Sequence, residues 1–234
     1  LLCLAIFFLS FMAESRTTNK LHGSGFSKRL REKSSLPTIA IVMYGLTRSV
    51  TMTHESIRTN VIDQLSKNSI EYRICLHRVV IVGKYNNERS GEKDVKLNNT
   101  EWTLLSPDYF SSTNHDAYVS EESEYTRSIL SYGDGLSNGG LDTRNTLEAL
   151  HSLREAAGLA RNSGIKFDGM MIMRPDLLYH QPVNITQLSY AVQNNMVMFP
   201  AWQLHGGFND RFAFGGWTAV HSVAMRYDLM LQYC

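Results

Sequence analysis

The sequence predicts an α/β fold, a mostly parallel sheet flanked by helices. Three observations carry this. Ile39-Ala40-Ile41-Val42-Met43-Tyr44 is an unbroken apolar run that stops at Gly45, the pattern of a strand buried on both faces. A segment of helical period follows, and then a second apolar run. Strand, helix, strand implies a right-handed crossover between parallel neighbours. Much later, Gly169 to Met173 repeats the unbroken apolar pattern. Such runs need cover on both faces, which places the strands starting near Ile39 and Gly169 inside the sheet.

The elements follow in order. Residues 1–13 (LLCLAIFFLSFMA) hold no charge and one hydroxyl, Ser10. A helix of that length covers roughly 20 Å, short of the ~30 Å hydrocarbon layer, so the run fits a signal peptide or a truncated signal anchor. A buried core helix is the alternative, although the polar stretch after it offers no partner. Residues 14–37 are rich in Ser, Thr, Lys and Arg and read as a flexible basic stem. Arg16, Lys20, Lys28, Arg29, Arg31 and Lys33 outnumber Glu14 and Glu32 there, a balance that the positive-inside rule assigns to the cytosolic side. The folded domain spans 38–234, and its pattern is still helical at Cys234, so it reads as incomplete at the C-terminus.

Within that domain, Ile57, Val61 and Leu65 predict a helix over His54 to Lys67, capped by Thr53 with Glu55 in its first turn. A strand is expected over Tyr72 to Val82, then a polar surface loop from Lys84 to Thr100. Trp102 to Gly140 shows no clear element. A helix from Arg144 to Asn162 presents Leu147, Leu150, Leu153, Ala157 and Ala160 on one face, with Gly164 as its terminating residue. After the strand Gly169–Met173 come a short strand, Met196 to Phe199, a Gly-rich turn and a final helix from about Thr218. The whole is an open, Rossmann-like core.

Apolar and charged fractions of 43% and 19% are those of a folded globular chain, and a net charge of +1 supplies no field for nucleic acid. Cys3, Cys75 and Cys234 form no close cluster, which argues against a structural zinc site. Pairing of Cys75 with Cys234 stays open. Asn98-Asn99-Thr100 and Asn184-Ile185-Thr186 match the N-glycosylation pattern, but about two such triplets are expected by chance in this composition.

The most informative stretch is FDGMMIMRPDLLY, Phe167 to Tyr179. An apolar strand delivers an acid, Asp176, just past its C-terminal edge, where open α/β sheets bind ligands. Arg48 follows the first strand, near the start of a helix where anions are favoured. Arg144 opens the long helix, and HGGFNDR places Asp210 and Arg211 beside glycines. Each residue also has a plainer reading: Asp176 a turn acid after Pro175, Asp210 and Arg211 a paired turn, Arg48 and Arg144 solvated charges.

Taken in order, IAIVMYGLTRS, LDTRNTLEALHSLR, FDGMMIMRPDLLY and GGFNDRFAFGG resemble a poorly characterised group of membrane-anchored eukaryotic glycosyltransferases of the GT-A type. The resemblance covers about residues 38–228. It implies a nucleotide-diphospho-sugar donor, a glycan or protein hydroxyl acceptor, and a divalent ion, Mn²⁺ or Mg²⁺. Asp176 falls at the last carboxylate of that group's acidic motif and is the expected metal ligand; Arg174 stands where its first Asp would be. Arg48, Arg144, Arg174 and Arg211 are the expected diphosphate contacts, since guanidinium pairs with phosphate bidentately. Asp210 is the expected general base on the acceptor, or a second metal contact, sharing a pocket with Asp176. The implied setting is a single-pass type II protein of the ER or Golgi membrane with a lumenal domain, or a secreted one. Two other classes fit the same outline, a membrane-anchored sulfotransferase and a non-catalytic lumenal binding module.

Overall fold

A computed structural model describes residues 36–87, 92–115, 141–201 and 211–233. The expected leader and nearly all of the expected stem lie outside them. Among the described residues, no helix is long and apolar enough to cross a membrane.

The core is a six-stranded sheet. Strand β1 (Thr38–Gly45) is followed by α1 (Val50–Ile57), a π-helical turn (Arg58–Ile62), α2 (Asp63–Lys67) and β2 (Glu71–Val80). Next come a small hairpin of β3 (Lys84–Asn87) and β4 (Glu92–Lys96), a 3₁₀ turn (Glu101–Leu105) and β5 (Tyr109–Asn114). The long helix α3 (Leu141–Asn162) leads to β6 (Gly169–Met173), α4 (Ile185–Gln193), β7 (Val197–Met198), β8 (Phe212–Gly216), α5 (Trp217–Ala224) and α6 (Arg226–Tyr233). The order across the sheet is β5-β2-β1-β6-β8-β7. β5, β2, β1 and β6 run parallel, and β8 runs antiparallel to both β6 and β7.

β1 and β6 are interior strands, as their apolar runs require. Alternation along β1 sends Ile39, Ile41 and Met43 to one face and Ala40, Val42 and Tyr44 to the other. The first face packs under α1, α2 and α4 through Val50, Ile57, Val61, Leu65, Leu188 and Ala191. The second packs under α3 and α5, where Leu153, Ala156, Ala157 and Ala160 let the long helix lie close to the strands. Full burial of each large side chain contributes about 1.5–3 kcal/mol, so both faces together dominate the stability.

Several expectations need correction. The first helix begins four residues early, at Val50; Thr53 lies inside it and Ser49 occupies the capping position without a side-chain bond. The polar stretch from Lys84 contains the β3–β4 hairpin, because alternating pairing needs no apolar side chains when both faces are wet. The unassigned region after Trp102 holds β5, an edge strand whose alternating burial left no continuous apolar run. The helix α4 has no counterpart in the sequence reading. β8 stands where only a Gly-rich turn was expected. Its Gly215 is required because a Cβ there would meet the Met196 carbonyl oxygen at 1.8 Å, the neighbouring strand lying that close.

Candidate functional site

The C-terminal ends of β1, β2 and β6 form one edge of the sheet. The antiparallel β8 brings its own beginning to the same edge, where Met173 pairs with Phe212 and the Arg174 N–H donates to the Arg211 carbonyl at 3.2 Å. Arg48 lies in the turn between β1 and α1, and Arg78 of β2 sits in register with Gly45. The backbones of Arg48, Arg78, Arg174 and Arg211 therefore lie along this one edge of the sheet, at or next to four strand ends.

Gly45 is the centre of this edge. Its φ of 98° is a left-handed conformation that suits glycine, and a Cβ built on it would lie 4.0 Å from the guanidinium of Arg174. Arg174 itself reaches across Pro175 to Asp176: Nε donates to Oδ1 at 2.9 Å and Nη2 to Oδ2 at 2.7 Å. The pair is bidentate, with the Asp176 side chain only 9% exposed and that of Arg174 25%.

The loop carrying the pair is anchored from both sides. Tyr179 donates its hydroxyl to the Arg174 carbonyl at 3.1 Å, and burial pushes its phenol pKa upward, so it stays a donor. Thr53 of α1 donates to the Pro175 carbonyl at 2.5 Å. Asn60 lies in the π-turn; its amide donates to the Tyr179 carbonyl at 2.5 Å and its carbonyl accepts from the Val183 N–H at 2.8 Å. Ser56 accepts from the Tyr179 N–H at 3.2 Å. Thr53, Ser56 and Asn60 thus tie this helix, its π-helical turn included, to the loop.

Arg78 is the residue the sequence reading missed. Its guanidinium lies 5.9 Å from the Trp102 ring and 5.8 Å from the Phe110 ring, and those rings stack at 3.9 Å. One nitrogen donates to the Asn99 carbonyl at 2.5 Å, while the buried Nε has no acceptor among the described residues. Desolvation lowers its pKa. The available signal was a polar pair, His77-Arg78, interrupting the apolar run Ile74 to Val82.

The other expected residues divide. Arg174 meets Asp176 through its side chain and Arg211 through its backbone N–H, while the expected pocket shared by Asp176 and Asp210 lies partly outside the described residues. Asp210 lies outside the described residues, immediately before Arg211. Arg144 belongs to the first turn of α3, and its side chain is not among those described. The start of α1, expected to favour a ligand anion, already faces a carboxylate: Glu101 accepts from the Thr51 N–H at 3.1 Å.

The expected metal ligand is engaged by an arginine: both oxygens of Asp176 accept from Arg174, one bond to each. Among the described residues no group of three His, Cys, Asp or Glu could hold an ion.

On the opposite face, behind β1, lies a second polar group. The Gly45 N–H donates to Ser152 Oγ at 2.9 Å; Ser152 Oγ lies 2.8 Å from His77 Nδ1 and His77 Nε2 lies 3.0 Å from Thr113 Oγ1. Burial, reinforced by neighbouring His151, pulls the His77 pKa down to about 4. The ring is neutral and bonded at both nitrogens. Nearby, burial and then the charge of Asp108 push the free Cys75 thiol up to about 12, which leaves it inert. A shallow cleft of about 370 Å³ opens farther out on this face, lined by Ser111, Arg154, Gly158, Arg161 and Asp228 among others. It includes none of the four arginines at the sheet edge. Comparison with known protein families and with curated proteins returned no match.

Proposed function

We propose that the protein is a glycosyltransferase of the GT-A kind, moving a sugar from a nucleoside-diphosphate donor to a hydroxyl acceptor in the lumen of the secretory pathway. The observation that carries this is the placement of Arg48, Arg78, Arg174 and Arg211 along the C-terminal edge of a mostly parallel sheet. That edge is where open α/β sheets take nucleotides. As the glycosidic bond breaks, the diphosphate leaving group gains negative charge, and fixed guanidinium groups can neutralise it without reorganising. Arg174 is the best placed: Asp176, Tyr179 and Gly45 fix its position before any ligand arrives.

In this reading Asp176 positions the arginine, and the arginines carry the neutralisation that the family resemblance assigned to a divalent ion. Asp210, next to Arg211, remains the proposed base on the acceptor. The experiment is thermal stabilisation by UDP and GDP, set against adenosine 3′,5′-bisphosphate, followed by donor hydrolysis with Mn²⁺ and with EDTA. A ligand at a hundred times its Kd stabilises by about 2.7 kcal/mol, which a melting curve resolves. Stabilisation by adenosine 3′,5′-bisphosphate alone would favour a sulfotransferase.

One observation favours a second reading, a binding module without catalysis. The Arg174–Asp176 pair is closed on itself. Nucleotide binding with no donor turnover under either metal condition would select that reading.

A further inference from the structure

We infer that Asn98, and not Asn184, is a site of N-linked glycosylation. The inference rests on the lumenal placement proposed above. Both residues head an Asn-X-Thr triplet, so the sequence does not separate them, but the geometry does. Asn98, Asn99 and Thr100 are all exposed, in the turn between β4 and the 3₁₀ segment. The Thr100 hydroxyl donates to Asn98 Oδ1 at 2.8 Å, and the Thr100 N–H donates to the same oxygen at 3.0 Å. A backbone N–H can only donate, so this bond fixes which end of the carboxamide is oxygen. Nδ2 then faces outward, and among the described residues nothing accepts from it.

This turn is made by residues two apart and needs no tertiary contact, so it is available while the chain is still entering the lumen. Asn184 is engaged differently. Its Oδ1 accepts from the Gln187 N–H at 3.0 Å as the cap of α4, and Thr186 belongs to the first turn of that helix. The pairing of Thr hydroxyl with Asn carboxamide is therefore present at Asn98 and replaced by a helix cap at Asn184.

The chemistry is a displacement at a sugar's anomeric carbon. The co-substrate is a lipid-pyrophosphate-linked oligosaccharide, and the host's oligosaccharyl-transferring enzyme acts on it. Asn98 Nδ2 forms the new C–N bond as the bond from the anomeric carbon to phosphate oxygen breaks. The amide proton passes, through a base of the transferring enzyme or solvent, to the lipid pyrophosphate, which departs. The modified turn borders the candidate site, because the Asn99 carbonyl is the acceptor of Arg78.

The test expresses the complete chain behind an added cleavable secretory leader, so that lumenal entry does not depend on the chain's own topology. The expected result is one endoglycosidase-sensitive mobility step, lost in Asn98→Gln and in Thr100→Ala, kept in Thr100→Ser and unchanged in Asn184→Gln. No step in the leader-driven protein, a step that survives Asn98→Gln, or a step lost in Asn184→Gln would overturn the inference. If the step appears only with the added leader, the acceptor assignment stands and the lumenal reading of the native chain fails.

Discussion

Two groups of polar side chains meet at Gly45, one on each side of the β1 terminus, and they have opposite characters. Behind the strand, Ser152, His77 and Thr113 form a buried chain in which the serine and both imidazole nitrogens have partners, ending on the Gly45 N–H. In front, Arg174 and Asp176 are held together near the surface, and Arg78 keeps a buried nitrogen with no described acceptor. Buried polar groups that satisfy one another stabilise a unique packing, whereas a charged group left with unused donors at an accessible edge is a candidate for ligand binding. Burial alone would have ranked His77 above Arg78. Hydrogen-bond satisfaction reverses that order.

Substitutions should separate the two groups. The largest effect is expected at the front. Arg174→Ala should lower donor turnover by roughly 10²–10³-fold, about 3–4 kcal/mol, by analogy with removal of one oxyanion-stabilising donor. Arg174→Lys should recover only part of this, because lysine keeps the charge but not the fork that grips Asp176 and phosphate together. Steady-state kinetics on purified protein reads both. Turnover unchanged in Arg174→Ala would remove Arg174 from the mechanism.

The next effect belongs to the back. The His77 imidazole falls from an ordinary 6.5 to about 4 in the folded state, so the unfolded chain binds more protons between those values. Stability from this group is therefore full above pH 6.5 and is lost as pH falls toward 4, by about 3 kcal/mol in all. His151 and His221, also lowered chiefly by burial, act in the same direction. Urea midpoints measured across this range should fall with pH, and His77→Gln should flatten the slope. An unchanged slope in His77→Gln would show that the ring is not held neutral.

Ser152→Ala is expected to be smaller, about 1–3 kcal/mol, because it strands the Gly45 N–H and one face of His77. Thermal denaturation measures it, and donor affinity should not change. Gly45→Ala should be smallest, about 1–2 kcal/mol from placing an L-residue at φ 98°, since its new methyl meets Arg174 only at ordinary contact distance. Of all these, it alone touches both groups, so a modest fall in both stability and turnover is the expected signature.

The parts of this arrangement differ in how legible they were in the sequence. β1 and β6 were readable because an interior parallel strand leaves a continuous apolar run, and α3 because its apolar face repeats at helical spacing. β5 and β8 were not, the first alternating as an edge strand, the second written in glycine and phenylalanine that resemble a turn. Arg174 and Asp176 were found because they follow a recognisable strand end. Their closure on each other was invisible, since sequence spacing does not reveal side-chain direction. Arg78 was passed over because a single arginine in a strand looks like any solvent-facing charge until register places it beside Gly45.

In the proposed function the arginines at the sheet edge hold a nucleoside diphosphate, while the buried serine–histidine chain only supports the strand behind them. Calorimetric titration of UDP and GDP into wild type, Arg174→Ala and Ser152→Ala, at one ionic strength with EDTA present, tests it most directly. One of the two nucleotides should bind wild type without metal, Arg174→Ala should weaken it by about tenfold or more, roughly 1.4 kcal/mol, and Ser152→Ala should leave it unchanged. Equal affinity in wild type and Arg174→Ala, or binding that vanishes under EDTA, would contradict it.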